Sequence, residues 1–253
     1  MPYSVMLDAG HGGINPGAVY AGRQEKDDAL KLVLGVGEIL QNNGIDVEYT
    51  RTTDVYQTPF EKAQLANEAG VDYFISLHRN SFPEDNVVSG VESLVYDLSG
   101  IKYEMAENIN EQLETVGFVN LGVRARPNLV VLRKTKMPAI LVEVGFINSD
   151  IDNKLFDANF EGVVQAIANG IIETLVENPN MMDIRYAVQV GAFRNQNYAR
   201  DLQEELMEMD FPARIERGEG FYRVRVGAFS SLEEAIRMEQ RLKRAGYQTV
   251  IVT

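Results

Sequence analysis

The chain has 253 residues, 45% of them hydrophobic and 24% charged, enough apolar material to bury a core in one large domain or two unequal ones. It contains no cysteine, which excludes disulfides and thiolate metal sites and leaves His, Asp and Glu as the possible metal ligands. The net charge of −13 is uneven: residues 184–253 stand near +1 and residues 1–183 near −14, which argues against nucleic acid as a partner of the first part.

YSVMLDA (3–9) reads as a buried strand that stops at GHGG, so His11, one of only two histidines, stands at a strand end. The glycine-rich loop GGINPGAVYAGRQ follows, then a helical pattern opened by Glu25, with Ala29, Val33, Val36 and Leu40 on one face and Gly44 just beyond. IDVEYTR (45–51) is the next strand, and Thr58, Pro59 and Glu61 mark a capped helix start. YFISLH (73–78) ends on the second histidine, His78, while GVESLVYD (90–97) and AILVEVGF (139–146) supply two further strands, the last carrying Glu143. Strands rich in Val, Ile and Leu alternating with helices predict an α/β sheet with helices on both faces over residues 1–176.

ENPNMMD (177–183) interrupts the last helical pattern and reads as a linker. Beyond it the chain repeats itself: YAVQVGAF (186–193) returns as YRVRVGAF (222–229), each copy followed by a polar turn and a helical pattern. Ala199, Leu202, Leu206 and Met209 share one predicted helix face, and Ala235, Met238, Leu242 and Ala245 share another, opened by Ser231 and Glu234 in capping-box spacing and closed at Gly246. With short strands at ARIER and QTVIV, residues 184–253 predict a small ferredoxin-like βαββαβ domain. No apolar run reaches the roughly 18 residues of a membrane span, and MPYSVMLDAG lacks the layout of a signal peptide, so neither feature is expected.

In open α/β sheets ligands gather at the carboxyl ends of the strands. His11, His78 and Glu143 lie near such ends and should converge, and Glu25 joins them if the glycine-rich loop folds back. Two imidazoles and a carboxylate with one open position form a recurrent catalytic zinc set, which activates water while a neighbouring carboxylate carries the proton. Glu25 also fits a simple first-turn carboxylate favoured by the helix dipole, and a lone histidine fits a satisfied core residue. Glu143, set among Val, Ile and Leu, requires a partner, because an unpaired buried carboxylate costs several kcal/mol. Asn15 replaces the third glycine of a dinucleotide fingerprint, and neither a phosphate loop nor a serine elbow is present.

DAGHGG (8–13), Glu25, SLHRN (76–80) and VLRKTKMPAILVEVGFINS (131–149) together resemble the zinc-dependent N-acetylmuramoyl-L-alanine amidases of type 3, over about residues 3–176. The resemblance implies that His11, Glu25 and His78 hold one zinc ion and that Glu143 is the catalytic acid/base. It also implies that the bond cleaved joins the lactyl group of N-acetylmuramic acid to the L-alanine of the stem peptide. Within the same motifs, Arg133 is a candidate to hold a stem-peptide carboxylate and Asn80 to orient a ligand or the substrate. Arg79 stands where the family commonly has small residues and is expected at the site rim. The segment between His78 and Glu143 is too short for an added blocking helix, which predicts an open cleft.

The C-terminal repeat resembles the SPOR domain, which binds peptidoglycan glycan strands stripped of stem peptides. Strand alternation places Val188 and Val190 on the helix-covered face and Gln189, Arg223 and Arg225 on the open one, where their donors would meet sugar hydroxyls. The same topology resembles an RNA-recognition module, but those modules place aromatic side chains where this chain has Gln and Arg. The expected partner is therefore peptidoglycan, at the bacterial cell wall, with no nucleic acid; the sequence carries no signal of oligomeric state.

Overall fold

The computed structural model describes residues 3–177, 186–218, 220–229 and 232–252. Residues 178–183 of the expected linker, and Ser231 of the expected capping pair, lie outside the described residues. The chain divides into two compact units, Met1–Asn178 and Pro179–Thr253.

The first unit runs β1 (Ser4–Ala9), β2 (Val19–Tyr20), β3 (Arg23–Gln24), α1 (Glu25–Asn42), β4 (Asp46–Tyr49), α2 (Pro59–Ala69) and β5 (Tyr73–Asn80). It continues with β6 (Val91–Val95), α3 (Ile101–Val116), β7 (Asn120–Ala125), α4 (Val130–Lys134), β8 (Ala139–Phe146), α5 (Asp150–Ala158) and α6 (Phe160–Glu177). All five expected strands and the capped start of α2 are present. Thr58 Oγ1 accepts from the Glu61 amide at 3.2 Å, and Glu61 Oε2 accepts from the Thr58 amide at 2.7 Å.

Six strands form one sheet in the order β4-β1-β5-β8-β6-β7. β4, β1, β5 and β8 run parallel, β6 runs antiparallel to β8, and β7 runs parallel to β6. The sheet is thus mixed, and β7 is a strand the hydropathy pattern does not reveal: NLGVRA is half-exposed, sits at an edge and contains Gly122. One face is covered by a layer of α1, α6 and α3. On the other, α2 and α4 pack over Met6, Phe74, Leu94 and Leu141 through Ala66 of α2 and Val131 and Leu132 of α4. That second cover stops short of the strand ends. The residues two positions further along the same face are polar: Asp8, Ser76 and Glu143, with His78 next beyond Ser76 and Glu92 opposite Glu143.

The second unit runs β9 (Tyr186–Phe193), α7 (Gln196–Glu208), β10 (Ala213–Gly218), β11 (Phe221–Phe229), α8 (Leu232–Arg244) and β12 (Val250–Val252). Its four-stranded antiparallel sheet has the order β10-β11-β9-β12, the ferredoxin-like arrangement expected. Val188, Val224, Val226, Leu206 and Leu242 form its buried centre. Met209 departs from expectation. It stands just past the last turn of α7 and is 47% exposed, so it leaves the apolar face to Ala199, Leu202 and Leu206.

Candidate metal centre

Two devices build the centre: a strained loop after β1 and a helix start after the β2–β3 ribbon. His11 has φ +58, a left-handed conformation that costs a non-glycine residue energy and must be held by its surroundings. Two buried cations hold it. Arg51 donates to the carbonyls of Ala9 (3.2 Å) and Gly10 (2.9 Å), and Lys62 Nζ donates to Ala9 O at 2.5 Å. Lys62 is itself paired with buried Asp8 at 2.8 Å, and Asp8 also accepts from Thr50 (2.7 Å) and Ser76 (2.5 Å). Burial alone would raise the Asp8 carboxyl, but the Lys62 charge and these hydrogen bonds hold it below its ordinary value.

The loop folds back as expected. The Glu25 amide donates to Ala18 O at 3.0 Å and the Lys26 amide to Pro16 O at 3.1 Å, so α1 opens beneath His11. Glu25 Oε2 lies 3.0 Å from His11 Nε2, and Glu25 Oε1 lies 2.8 Å from His78 Nδ1. Ligand atoms of His11, Glu25 and His78 all fall within 4.8 Å of one another, and the imidazole rings stand edge-on with centroids 4.9 Å apart. The approach is close enough to require glycine nearby. A Cβ on Gly10 would sit 2.5 Å from His78 Cε1, and one on Gly17 2.5 Å from Glu25 Oε2. Asn15, noted above only for breaking a nucleotide motif, has Oδ1 3.2 Å from His11 Nδ1 and accepts from the Gly17 amide at 3.0 Å.

The electrostatics suit a cation. Burial would raise the Glu25 carboxyl, but the two histidines hydrogen-bonded to it hold it well below the carboxylate range. Burial would likewise lower His78, yet the Glu25 carboxylate raises it. Three side chains gathered this closely, two imidazoles and one carboxylate, match the donor set of a catalytic zinc site. His11 and His78 keep 25% and 17% of their side-chain surface exposed, so the centre faces solvent.

Glu143 pairs in register with His78 on one side and with Glu92 on the other. Burial pushes its carboxyl up to about 7, with Glu25 and Glu92 adding to the shift against His78 and Arg79. Its Oε2 is buried with no hydrogen-bond partner among the described residues, a costly condition unless the atom serves chemistry. Asn80 donates from Nδ2 to Glu92 Oε1 at 2.7 Å, and Arg124 Nε lies 3.2 Å from Glu92 Oε2. Asn80 is therefore committed to Glu92. Arg133, on α4, is exposed and stands apart from these contacts.

Arg79 is not at the rim. It is 1% exposed and points to the opposite face, donating from Nη1 to Asp28 at 2.7 Å and from Nη2 to Asn153 at 2.8 Å, with its guanidinium over the Phe156 ring. Strand pleating demands this, since neighbours in β5 alternate faces and His78 occupies the site side. In the second unit Gln189 and Arg225 are register partners. Arg225 Nη1 pairs with Glu216 Oε2 at 2.8 Å, and Arg223 Nη1 donates to Gly218 O at 3.0 Å.

Among the described residues no helix is long and apolar enough to cross a membrane. Residues 5–173 match the N-acetylmuramoyl-L-alanine amidase family, and residues 183–253 match the SPOR domain. The chain is 34% identical over 196 residues to the sporulation-specific N-acetylmuramoyl-L-alanine amidase of Bacillus subtilis, covering 75% of each chain. It is 32% identical over 219 residues to the amidase CwlM of Bacillus licheniformis, covering 83% of each. The amidase AmiC2 of Nostoc punctiforme superimposes with a TM-score of 0.64 at 31% identity, over 69% of this chain and 97% of that one. The catalytic domain of CwlV from Paenibacillus polymyxa does so with a TM-score of 0.63 at 30% identity, over 69% and 98%. The chain belongs to the N-acetylmuramoyl-L-alanine amidases, hydrolases of peptidoglycan, and carries a SPOR domain behind the amidase fold.

Proposed function

We propose that the chain is a zinc-dependent amidase that cuts between N-acetylmuramic acid and the L-alanine of the stem peptide, and that residues 184–253 hold it on glycan already stripped of peptide. The division of labour follows the boundaries read from the sequence, residues 1–176 for hydrolysis and 177–183 as the connection. The observation that carries the reading is the convergence of His11, Glu25 and His78 within 4.8 Å, with Glu143 in register beside His78. Zinc, when bound by those three residues, supplies a lowered pKa for water and polarisation of the scissile carbonyl.

The remaining work falls to the chain's own groups. Glu143, with its carboxyl near 7 and an uncommitted buried Oε2, is suited to take a proton from the attacking water and return it to the departing L-alanine nitrogen. Asn80 acts through Glu92, steadying the wall of the site. Arg133 is available to a stem-peptide carboxylate, and the short segment between His78 and Glu143, with no room for an added blocking helix, favours an open cleft. On the SPOR sheet Gln189, Arg223 and Arg225 offer donors to sugar hydroxyls and N-acetyl carbonyls, with Arg225 held in place by Glu216.

The test is digestion of purified peptidoglycan with and without a zinc chelator, followed by analysis of new chain ends. New L-alanine amino termini that disappear with chelator are the expected result. New reducing sugars, new interior peptide ends, or cleavage indifferent to chelator would overturn the reading.

A further inference from the structure

The acidity of the first unit hides a local reversal. Residues 115–142 contain Arg124, Arg126, Arg133, Lys134 and Lys136 and no acidic residue at all, and all five cations are exposed. Elsewhere in this unit Arg23, Lys26, Lys62, Arg79 and Lys102 each have a carboxylate partner. Among the described residues Arg126, Arg133, Lys134 and Lys136 have none, and Arg124 is tied only through Nε to Glu92.

These cations lie on the side of the sheet that carries the metal centre. Arg124 is the register partner of Leu94, and Leu94 packs with Leu141 beneath Val131 and Leu132 of α4, the helix that bears Arg133 and Lys134. From the centre outward, His78, Glu143 and Glu92 occupy successive register positions, and Arg124 of β7, opposite Leu94, reaches Glu92 Oε2 with its Nε at 3.2 Å. Strands spaced ~4.8 Å apart put β7 ~14 Å from β5. A peptide advances ~3.4 Å per residue when extended, so about four residues bridge that distance.

We infer that Arg124 recognises a carboxylate of the stem peptide and is a specificity-determining contact; the inference rests on the amidase reading. The peptide that leaves the metal centre ends in a carboxylate, and a path outward along the row of His78, Glu143 and Glu92 leads to Arg124. Arg124 is suited to the task in a way a lysine is not. Buried Glu92, itself held by Asn80, lies 3.2 Å from Arg124 Nε, while 51% of the arginine side chain stays exposed, and a planar guanidinium can meet a carboxylate with two donors at once.

The experiment compares the full chain with R124Q on two soluble muropeptides of identical sequence, one with free stem-peptide carboxylates and one with every carboxylate amidated. Wild type is expected to show KM about tenfold lower for the free acid, the value of one well-placed charged contact. R124Q is expected to reduce that preference to about twofold or less. Because R124Q leaves Glu92 without its cation, the E92Q/R124Q double variant is measured as well and should lose the preference to the same extent. Equal KM for the two substrates in wild type, as a strip serving a phosphate-bearing wall polymer would give, overturns the inference, as does a preference that survives in the double variant. Failure of the amidase reading looks different: wild type then releases no L-alanine amino terminus from either muropeptide.

Discussion

In the first unit Asp8, Glu25, Asp28, Arg51, Lys62 and Arg79 are between 1 and 4% exposed, whereas every buried polar side chain among the described residues lies in that unit and none in the second. The second unit has an apolar centre, and the charges of its sheet, Arg214, Glu216, Arg223 and Arg225, are only half-buried, with Glu216 pairing both Arg214 and Arg225. Buried ion pairs seldom add net stability over apolar packing of the same volume, but removing one partner is severely costly. Here they concentrate around the candidate metal centre, where Arg51 and Lys62 hold the carbonyls of the strained loop beside His11. A module that only lays a polar face against a polymer needs no such frame.

The contrast can be broken at its strongest point first. E143Q is expected to lower turnover by about a thousandfold while zinc stoichiometry is unchanged, checked by hydrolysis rates alongside metal analysis. Retained turnover would reassign the proton carrier. Next, K62M leaves Asp8 without its cation and should cost about 3–5 kcal/mol in denaturant unfolding, while R79M should cost less, because Asp28 keeps Arg23 at 2.6 Å. R225M in the second unit breaks a half-buried pair whose partner Glu216 keeps Arg214 at 2.8 Å, and should cost about 1 kcal/mol. Comparable losses in both units would erase the distinction.

Glu143 gives a further test, in pH. In metal-free protein its carboxyl is raised from 4.5 to about 7, so between those values the folded form keeps a proton that the unfolded chain has lost. Stability contributed by this group is therefore greatest below 4.5, falls as pH rises to about 7 and is level above it, a total of about 3 kcal/mol. Glutamine at 143 should flatten that slope and make the chelated protein more stable near neutrality. The smallest expected effect on chemistry comes from deleting residues 184–253, which should weaken binding to whole sacculi more than it slows cleavage of a soluble muropeptide. Equal losses on both substrates would argue against a purely binding role.

Much of this was legible in the sequence because hydropathy and punctuation agree there. The apolar strands, the capping box at Thr58, the doubled YxVxVGAF and the two histidines at strand ends are local signals. Arg51, Lys62, Glu92 and Arg124 were not legible as a frame for the site, since their roles depend on which strands become neighbours. Nothing in GVESLV says that β6 turns antiparallel to β8 and sets Glu92 against Glu143. Arg79 is a different matter: the period of two along β5 puts it on the face opposite His78, so its burial followed from the pleat once His78 was assigned. β7 escaped because an edge strand with a glycine and alternate exposed positions resembles a loop.

The position of β8 between β5 and β6 has a consequence in time. As the chain is made, β5, β6 and β7 all appear before the strand that must be inserted to join them, and long-range insertion of this kind is slow. That strand also delivers Glu143. On the proposed mechanism the histidines and Glu25 are made well before the proton carrier, so sheet closure and lytic competence would arrive in one event. A chain ending at residue 138 should accordingly show neither a cooperative unfolding transition nor turnover.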